Sequence, residues 1–271
     1  MTKHPTSLMT PAYRHPHGVF LLGAGPGDPE LLTVKALRVL QSAELVLHDS
    51  LVGPKILDLI PASAERIDVG KRAGFRLLTQ SDINALLVDA AHKHKVVVRL
   101  KGGDPLLFGR AAEEIDALRA ANIPFDVVPG ISAAFGAAAA AKVSLTDRGL
   151  ASHVLFTTFS RAPESQFLPG IGLTSETTVV VYMPGPDYFA VSRWLEDAAV
   201  SPDTPVLVIS KASRPEQTQH ATTVAGLAQL PPLPAPAVLI VGRVAHNASD
   251  ACVAPSYFEE VNSTIEASRI S

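Results

Sequence analysis

The chain has 271 residues, 47% of them hydrophobic and 18% charged, enough to bury one large core or two smaller ones. A formal net charge of -3 offers no global attraction to a polyanion, so nucleic acid and anionic membranes are poor default partners and any anionic ligand must be met by local basic side chains. One cysteine, Cys252, excludes an internal disulfide framework and any metal site built from several thiolates, which suits a reducing cytoplasm.

No apolar run is long enough to cross a bilayer; the most apolar, around 133–141, is short and mostly alanine. Residues 1–18 mix Lys3, His4, Arg14, His15 and His17 with prolines, lack an apolar signal-peptide core, and read as a disordered tail. From Val19 onward, short apolar runs alternate with helical periods. Runs at 19–22, 45–47, 96–100 and 125–128 read as buried strands, and 31–41, 82–92 and 111–121 carry helical apolar spacing. The alternation predicts an α/β unit with a mostly parallel sheet and helices on both faces.

After Gly130 come a small-residue helix at 132–141 and strand-like runs at 154–156, 179–182, 206–209 and 238–241, which predict a second α/β sheet. The chain therefore divides into 19–131 and 132–247, with 248–271 as a C-terminal tail. No Gly/Ser linker marks the joint, so the halves should pack tightly, and their interface is the natural place for a ligand. The proline-dense 231–236 reads as a rigid connector before the last strand. No internal repeat is visible.

Three strand-to-helix junctions carry the candidate chemistry. The first, Gly23-Ala-Gly-Pro-Gly-Asp28, lets backbone come close to a ligand. A dinucleotide fingerprint is the rival reading, supported by Asp49 at the end of the second strand. The spacing opposes it, because the third glycine falls on Asp28 and Pro26 removes an amide donor. The second, Arg99-Leu-Lys-Gly-Gly-Asp104-Pro-Leu-Leu-Phe-Gly-Arg110, sets two glycines and an acid at the carboxyl edge of the sheet. Asp104 suits a ribose hydroxyl or an amino group; it also suits the N-cap of the next helix, with Pro105 as the first helical residue. The third, Val128-Pro-Gly-Ile-Ser-Ala-Ala, aims amides near Ser132 and Ala133 at the same edge.

Together with His48-Asp-Ser-Leu-Val52, Val69-Gly-Lys-Arg-Ala-Gly74 and Val241-Gly-Arg243, these runs resemble the tetrapyrrole methylase family of S-adenosylmethionine-dependent enzymes over about residues 19–243. The Gly-Lys-Arg-Ala-Gly piece favours the branch that acts on uroporphyrinogen III. The resemblance implies two α/β domains with the methyl donor in the cleft between them, a tetrapyrrole in a trough above, a homodimer, and no metal. The implied reaction is C-methylation of uroporphyrinogen III at two ring carbons to give precorrin-2, on the sirohaem and cobalamin branch. The alternatives are another precorrin as substrate, or a paralogue that binds donor or tetrapyrrole without turnover.

By motif matching, the resemblance places donor contacts on Pro26, Gly102, Gly103, Asp104, Leu107, Ser132, Ala133, Met183 and Ala212. It makes Asp49 the base, Lys71 a proton-donating or substrate-orienting residue, and Arg110 and Arg148 substrate-side cations. Carbon attack on a sulfonium is helped by removal of the pyrrole N–H proton, which a carboxylate can accept. The carboxylates ringing the substrate need cations, and Lys71, Arg72, Arg76, Arg110 and Arg148 supply them. The chain departs from the family pattern at Ser50, at Thr146-Asp-Arg-Gly149, at Thr158-Phe-Ser160, at Tyr182-Met-Pro184, and at Ala212 where glycine is usual.

Overall fold

Val19 and Leu21 fall on one side of an extended chain, Phe20 and Leu22 on the other. The computed structural model, which describes residues 17–70, 78–159 and 173–247, buries both sides. The run forms strand β1 (Gly18–Gly23), so the strand begins inside the segment assigned to the tail. Val19 and Leu21 join a core with α3 (Gln80–Lys93) and α4 (Ala111–Ala120), while Phe20 and Leu22 join one with α1 (Val34–Gln41) and α2 (Pro54–Leu57). The expected helical cover on both faces is present.

The remaining strands of this sheet are β2 (Leu45–His48), β3 (Glu65–Asp68), β4 (Val96–Lys101) and β5 (Phe125–Val128), in the order β3-β2-β4-β1-β5 and all parallel. Strand β3 and helix α2 were not anticipated. Helix α1 starts at Val34, three residues after the expected start. Asp28 accepts from the Glu30 amide to cap a 3-10 turn at Pro29–Leu31, and Thr33 then caps α1 by accepting from the Ala36 amide.

The second half begins with α5 (Ala133–Ala140), a helix of small residues whose Gly136 lies against Pro26 of the first junction; a Cβ at 136 would come within 2.7 Å of the proline ring. Its sheet holds β6 (His153–Thr158), β7 (Thr177–Tyr182), β8 (Pro205–Ser210), β9 (Thr218–Thr223) and β10 (Ala237–Val241), ordered β6-β7-β10-β8-β9. It is mixed: β6 and β7 run parallel, whereas β10 is antiparallel to both neighbours and β9 to β8. Helix α5 covers one face, α6 (Tyr188–Asp197) and α7 (Val224–Leu227) the other. Among the described residues, no helix is long and apolar enough to cross a membrane.

Candidate functional site

Strands β4, β1 and β5 are neighbours, so parallel pairing delivers the three glycine-bearing junctions side by side at one edge. Gly25 and Gly103 exchange backbone hydrogen bonds: the Gly25 amide donates to the Gly103 carbonyl (3.2 Å) and the Gly103 amide to the Gly25 carbonyl (2.8 Å). Gly130 closes the stack, where a Cβ would stand 2.3 Å from the Gly103 carbonyl oxygen. Asp104 ties the loops together, Oδ1 accepting from the Leu106 amide (2.8 Å) and Oδ2 from the Gly130 amide (3.0 Å). It is not a helix N-cap. Pro105 opens a turn, and α4 starts only after Arg110, whose left-handed backbone (φ 56°) interrupts the chain.

Beneath this edge lies a run of buried charges. The Asp49 carboxylate, at the end of β2, accepts through Oδ1 from Arg99 Nη2 at 2.5 Å. Arg99 is 2% exposed and donates through Nε to Glu114 Oε1 (2.8 Å); Lys101 Nζ donates to the same oxygen (2.9 Å). Burial, then the Arg99 charge, pull the Lys101 ammonium below its ordinary value, against the opposing pull of Glu114 and Asp49. Asp49 itself reaches the cavity above.

The second half supplies the facing wall. Ser132 makes no capping bond to α5; its hydroxyl instead meets the Tyr182 hydroxyl at 2.5 Å, which also accepts from the Ala134 amide (3.2 Å). Desolvation raises the Tyr182 phenol above its usual value despite these bonds. Arg214, from the turn between β8 and β9, reaches across to the first half, donating through Nη2 to the Leu51 carbonyl (2.6 Å) and through Nε to that of Pro26 (3.4 Å). Phe108, Arg110 and Met183, three of the eight non-glycine residues with positive φ among the described residues, line this cavity.

The cavity measures about 420 Å³ and brings most of the nominated residues together. Pro26, Asp49, Gly102 and Gly103 form its floor with Asp104 and Leu107; Arg110, Ser132, Ala133 and Met183 also line it. Exposed Leu51, Phe108 and Met183 give it an apolar rim. Arg110 forks onto Glu113 (2.7 and 2.8 Å), and this bond holds the Glu113 carboxyl below its ordinary value. Two nominated residues are not brought in: Ala212 packs in the second core, and Arg148 is exposed on the turn after α5, outside the lining. Lys71, Arg72, Arg76, Ser160 and Cys252 lie outside the described residues.

Sequence reasoning gave no role to Arg99, Lys101, Glu114, Tyr182 or Arg214. Two signals were there to be read: charges at 99 and 101 inside an otherwise apolar strand, and Glu114 on the helical stripe shared by Ala111 and Leu118. Nothing local marks Arg214.

The family Tetrapyrrole (Corrin/Porphyrin) Methylases matches residues 18–228. The chain is 48% identical over 242 residues to the uroporphyrinogen-III C-methyltransferase of Paracoccus denitrificans, covering 88% of this chain and 84% of that protein. It is 44% identical to the S-adenosyl-L-methionine-dependent uroporphyrinogen III methyltransferase of Methanosarcina barkeri, covering 84% and 92%. It spans only 47% of the siroheme synthase of Psychrobacter sp., to which it is 46% identical. Among solved structures, the uroporphyrin-III C-methyl transferase of Thermus thermophilus complexed with S-adenyl homocysteine matches with a TM-score of 0.73 and 35% identity, over 84% of this chain and 99% of that one.

Proposed function

This chain belongs to the tetrapyrrole methylases, and from that premise we propose that it methylates uroporphyrinogen III at two ring carbons, with S-adenosylmethionine as donor, to give precorrin-2. The observation that carries the reading is the meeting of three glycine junctions above a carboxylate that is bound to Arg99 and open to the same cavity. The halves 19–131 and 132–247 serve as its two domains, and it works as a homodimer in the cytoplasm.

The cavity fits the donor. A Cβ on Gly102 would stand 3.1 Å from Leu51 Cβ, and Gly103 holds a positive φ of 68°, so both positions in the cavity lining call for glycine and leave the floor bare for a flat nucleoside. When bound, the sulfonium supplies an electrophilic methyl group. Pro26, Gly102, Gly103, Asp104, Leu107, Ser132, Ala133 and Met183 are assigned to hold it, with Ala212 entering the assignment by motif alone. The rim of Leu51, Phe108 and Met183 offers apolar surface to the macrocycle, and Arg110 and Arg148 offer cations to its carboxylates. Asp49 accepts the pyrrole N–H proton as the ring carbon takes the methyl group, and Lys71 orients the substrate or returns a proton. The Arg99 contact keeps the Asp49 carboxylate aimed before the step.

The test is an anaerobic assay with methyl-labelled donor and freshly reduced uroporphyrinogen III. Two methyl groups added per tetrapyrrole, lost in Asp49→Ala, is the expected result; donor binding without transfer to this substrate would overturn it. Sedimentation reads the dimer.

A further inference from the structure

We propose that Glu114 and Lys101 are positioning residues that set the basicity of Asp49 through the guanidinium of Arg99. The inference rests on the reading of Asp49 as the base. Arg99 touches both carboxylates, Nη2 on Asp49 Oδ1 and Nε on Glu114 Oε1, and Lys101 closes the set by donating to that same Glu114 oxygen. Two anions and two cations are thereby buried as one neutral group, with Asp49 the member at the cavity (side chain 28% exposed) and Glu114 fully enclosed.

Stability alone is a poor reason for such a group, since buried ion pairs are often matched or bettered by apolar packing. Glu114 even keeps a buried oxygen, Oε2, without a hydrogen-bond partner among the described residues, which costs stability. Electrostatics supplies the reason. An arginine facing Asp49 alone would hold its carboxylate too firmly for it to take a proton. Glu114 draws on the same guanidinium through Nε and relaxes that hold, and Lys101 keeps Glu114 from overcorrecting. Removing either partner leaves one uncompensated charge in a low-dielectric layer below Asp49, and the sign of that charge fixes the direction of the change.

Other charged or titratable groups near Asp49 are His48, whose Nδ1 lies 3.3 Å from the Asp49 carbonyl, Asp68 at the end of β3, and Asp104, Arg110 and Arg214 on the cavity wall. The wall groups face an open cavity where water screens them; Lys101 borders that cavity too but is only 3% exposed, and Glu114 is fully enclosed.

The test is the acid limb of kcat/KM for uroporphyrinogen III at saturating donor, in Glu114→Gln, Lys101→Met and the double variant. Glu114→Gln leaves a positive charge and should move the limb down by about one pH unit, and Lys101→Met leaves a negative one and should move it up by about as much. The double variant should return it to the wild-type position. A purely structural role would lower rates or melting temperature without opposite shifts that cancel. Limbs that do not move, or that move the same way in both single variants, overturn the inference. If Glu114→Gln does not fold, Lys101→Met and Lys101→Gln carry the test, since both must raise the limb. Asp49→Ala separates the two readings: transfer retained there overturns Asp49 as base, whereas transfer lost with unmoved limbs overturns only the positioning role.

Discussion

The two five-stranded sheets share a composition of Val, Leu and Ile in their central strands but treat charge differently. In the first, β4 carries Arg99 and Lys101 into the interior, where Glu114 and Asp49 meet them. In the second, the fully buried polar residues of the strands are Thr178 and Ser210, neither of them ionisable near neutral pH. Among the described residues, charge is enclosed only where loops from neighbouring parallel strands converge. The second half contributes a wall, a hydroxyl pair and the reach of Arg214. The proton-transfer step should therefore fail when the buried charges of the first sheet are altered, and folding alone when the apolar core between the second sheet and α6 is.

The largest expected effect is that of Asp49→Ala, which should lower kcat by about 10²- to 10⁴-fold with donor affinity retained in calorimetry. A loss under tenfold would break the contrast. Leu195→Ala, wholly buried on α6, should cost about 2–5 kcal/mol in urea unfolding and leave kcat per folded molecule within about twofold of wild type. A greater rate loss would mean that the second sheet does more than hold. Gly130→Ala forces a Cβ against the Gly103 carbonyl and should cost about 1–3 kcal/mol while weakening donor binding, which titration reads directly.

Arg214→Ala removes two bonds to first-half carbonyls and should raise the donor dissociation constant about fivefold, on the order of 1 kcal/mol. The smallest effect concerns Tyr182, whose phenol is held above its usual value of 10.0 by burial. The folded state then keeps this proton more tightly than the unfolded chain. Its contribution is complete below pH 10.0 and is lost as pH rises above that value, so Tyr182→Phe should show a shallower alkaline fall in stability.

The central strands were legible because each is an apolar run, broken only in β4 by Arg99 and Lys101; the missed ones are edges. Strand β3 reads Glu-Arg-Ile-Asp and β9 reads Thr-Gln-His-Ala-Thr-Thr, polar sequences that a half-exposed edge tolerates and that carry no apolar period. The start of α1 was misplaced because Pro29 and Asp28 make a separate turn before Thr33 caps the helix. At the site, the junction residues were legible through glycine spacing and family resemblance. Asp104 reads as a ligand-binding residue and an N-cap together, and the cap role fell because Pro105 opens a turn and α4 starts only at Ala111; the bond that does hold Asp104 comes from the distant Gly130 amide, which no local pattern shows. Arg214 was illegible for the same reason: its partners are Leu51 and Pro26, and nothing near position 214 announces them.

Strand β1 sits inside the first sheet, yet neither neighbour is close in sequence: Gly18 pairs with Val96 and Val19 with Phe125. During synthesis at roughly 5–20 residues per second, β1 leaves the ribosome several seconds before any residue able to pair with it. Through that interval its Val-Phe-Leu-Leu run stays apolar and unpaired, a segment suited to holdase chaperones and prone to intermolecular association. Slow translation and scarce chaperones should therefore reduce the yield of this protein more than its equilibrium stability would suggest, with β1 as the point of failure.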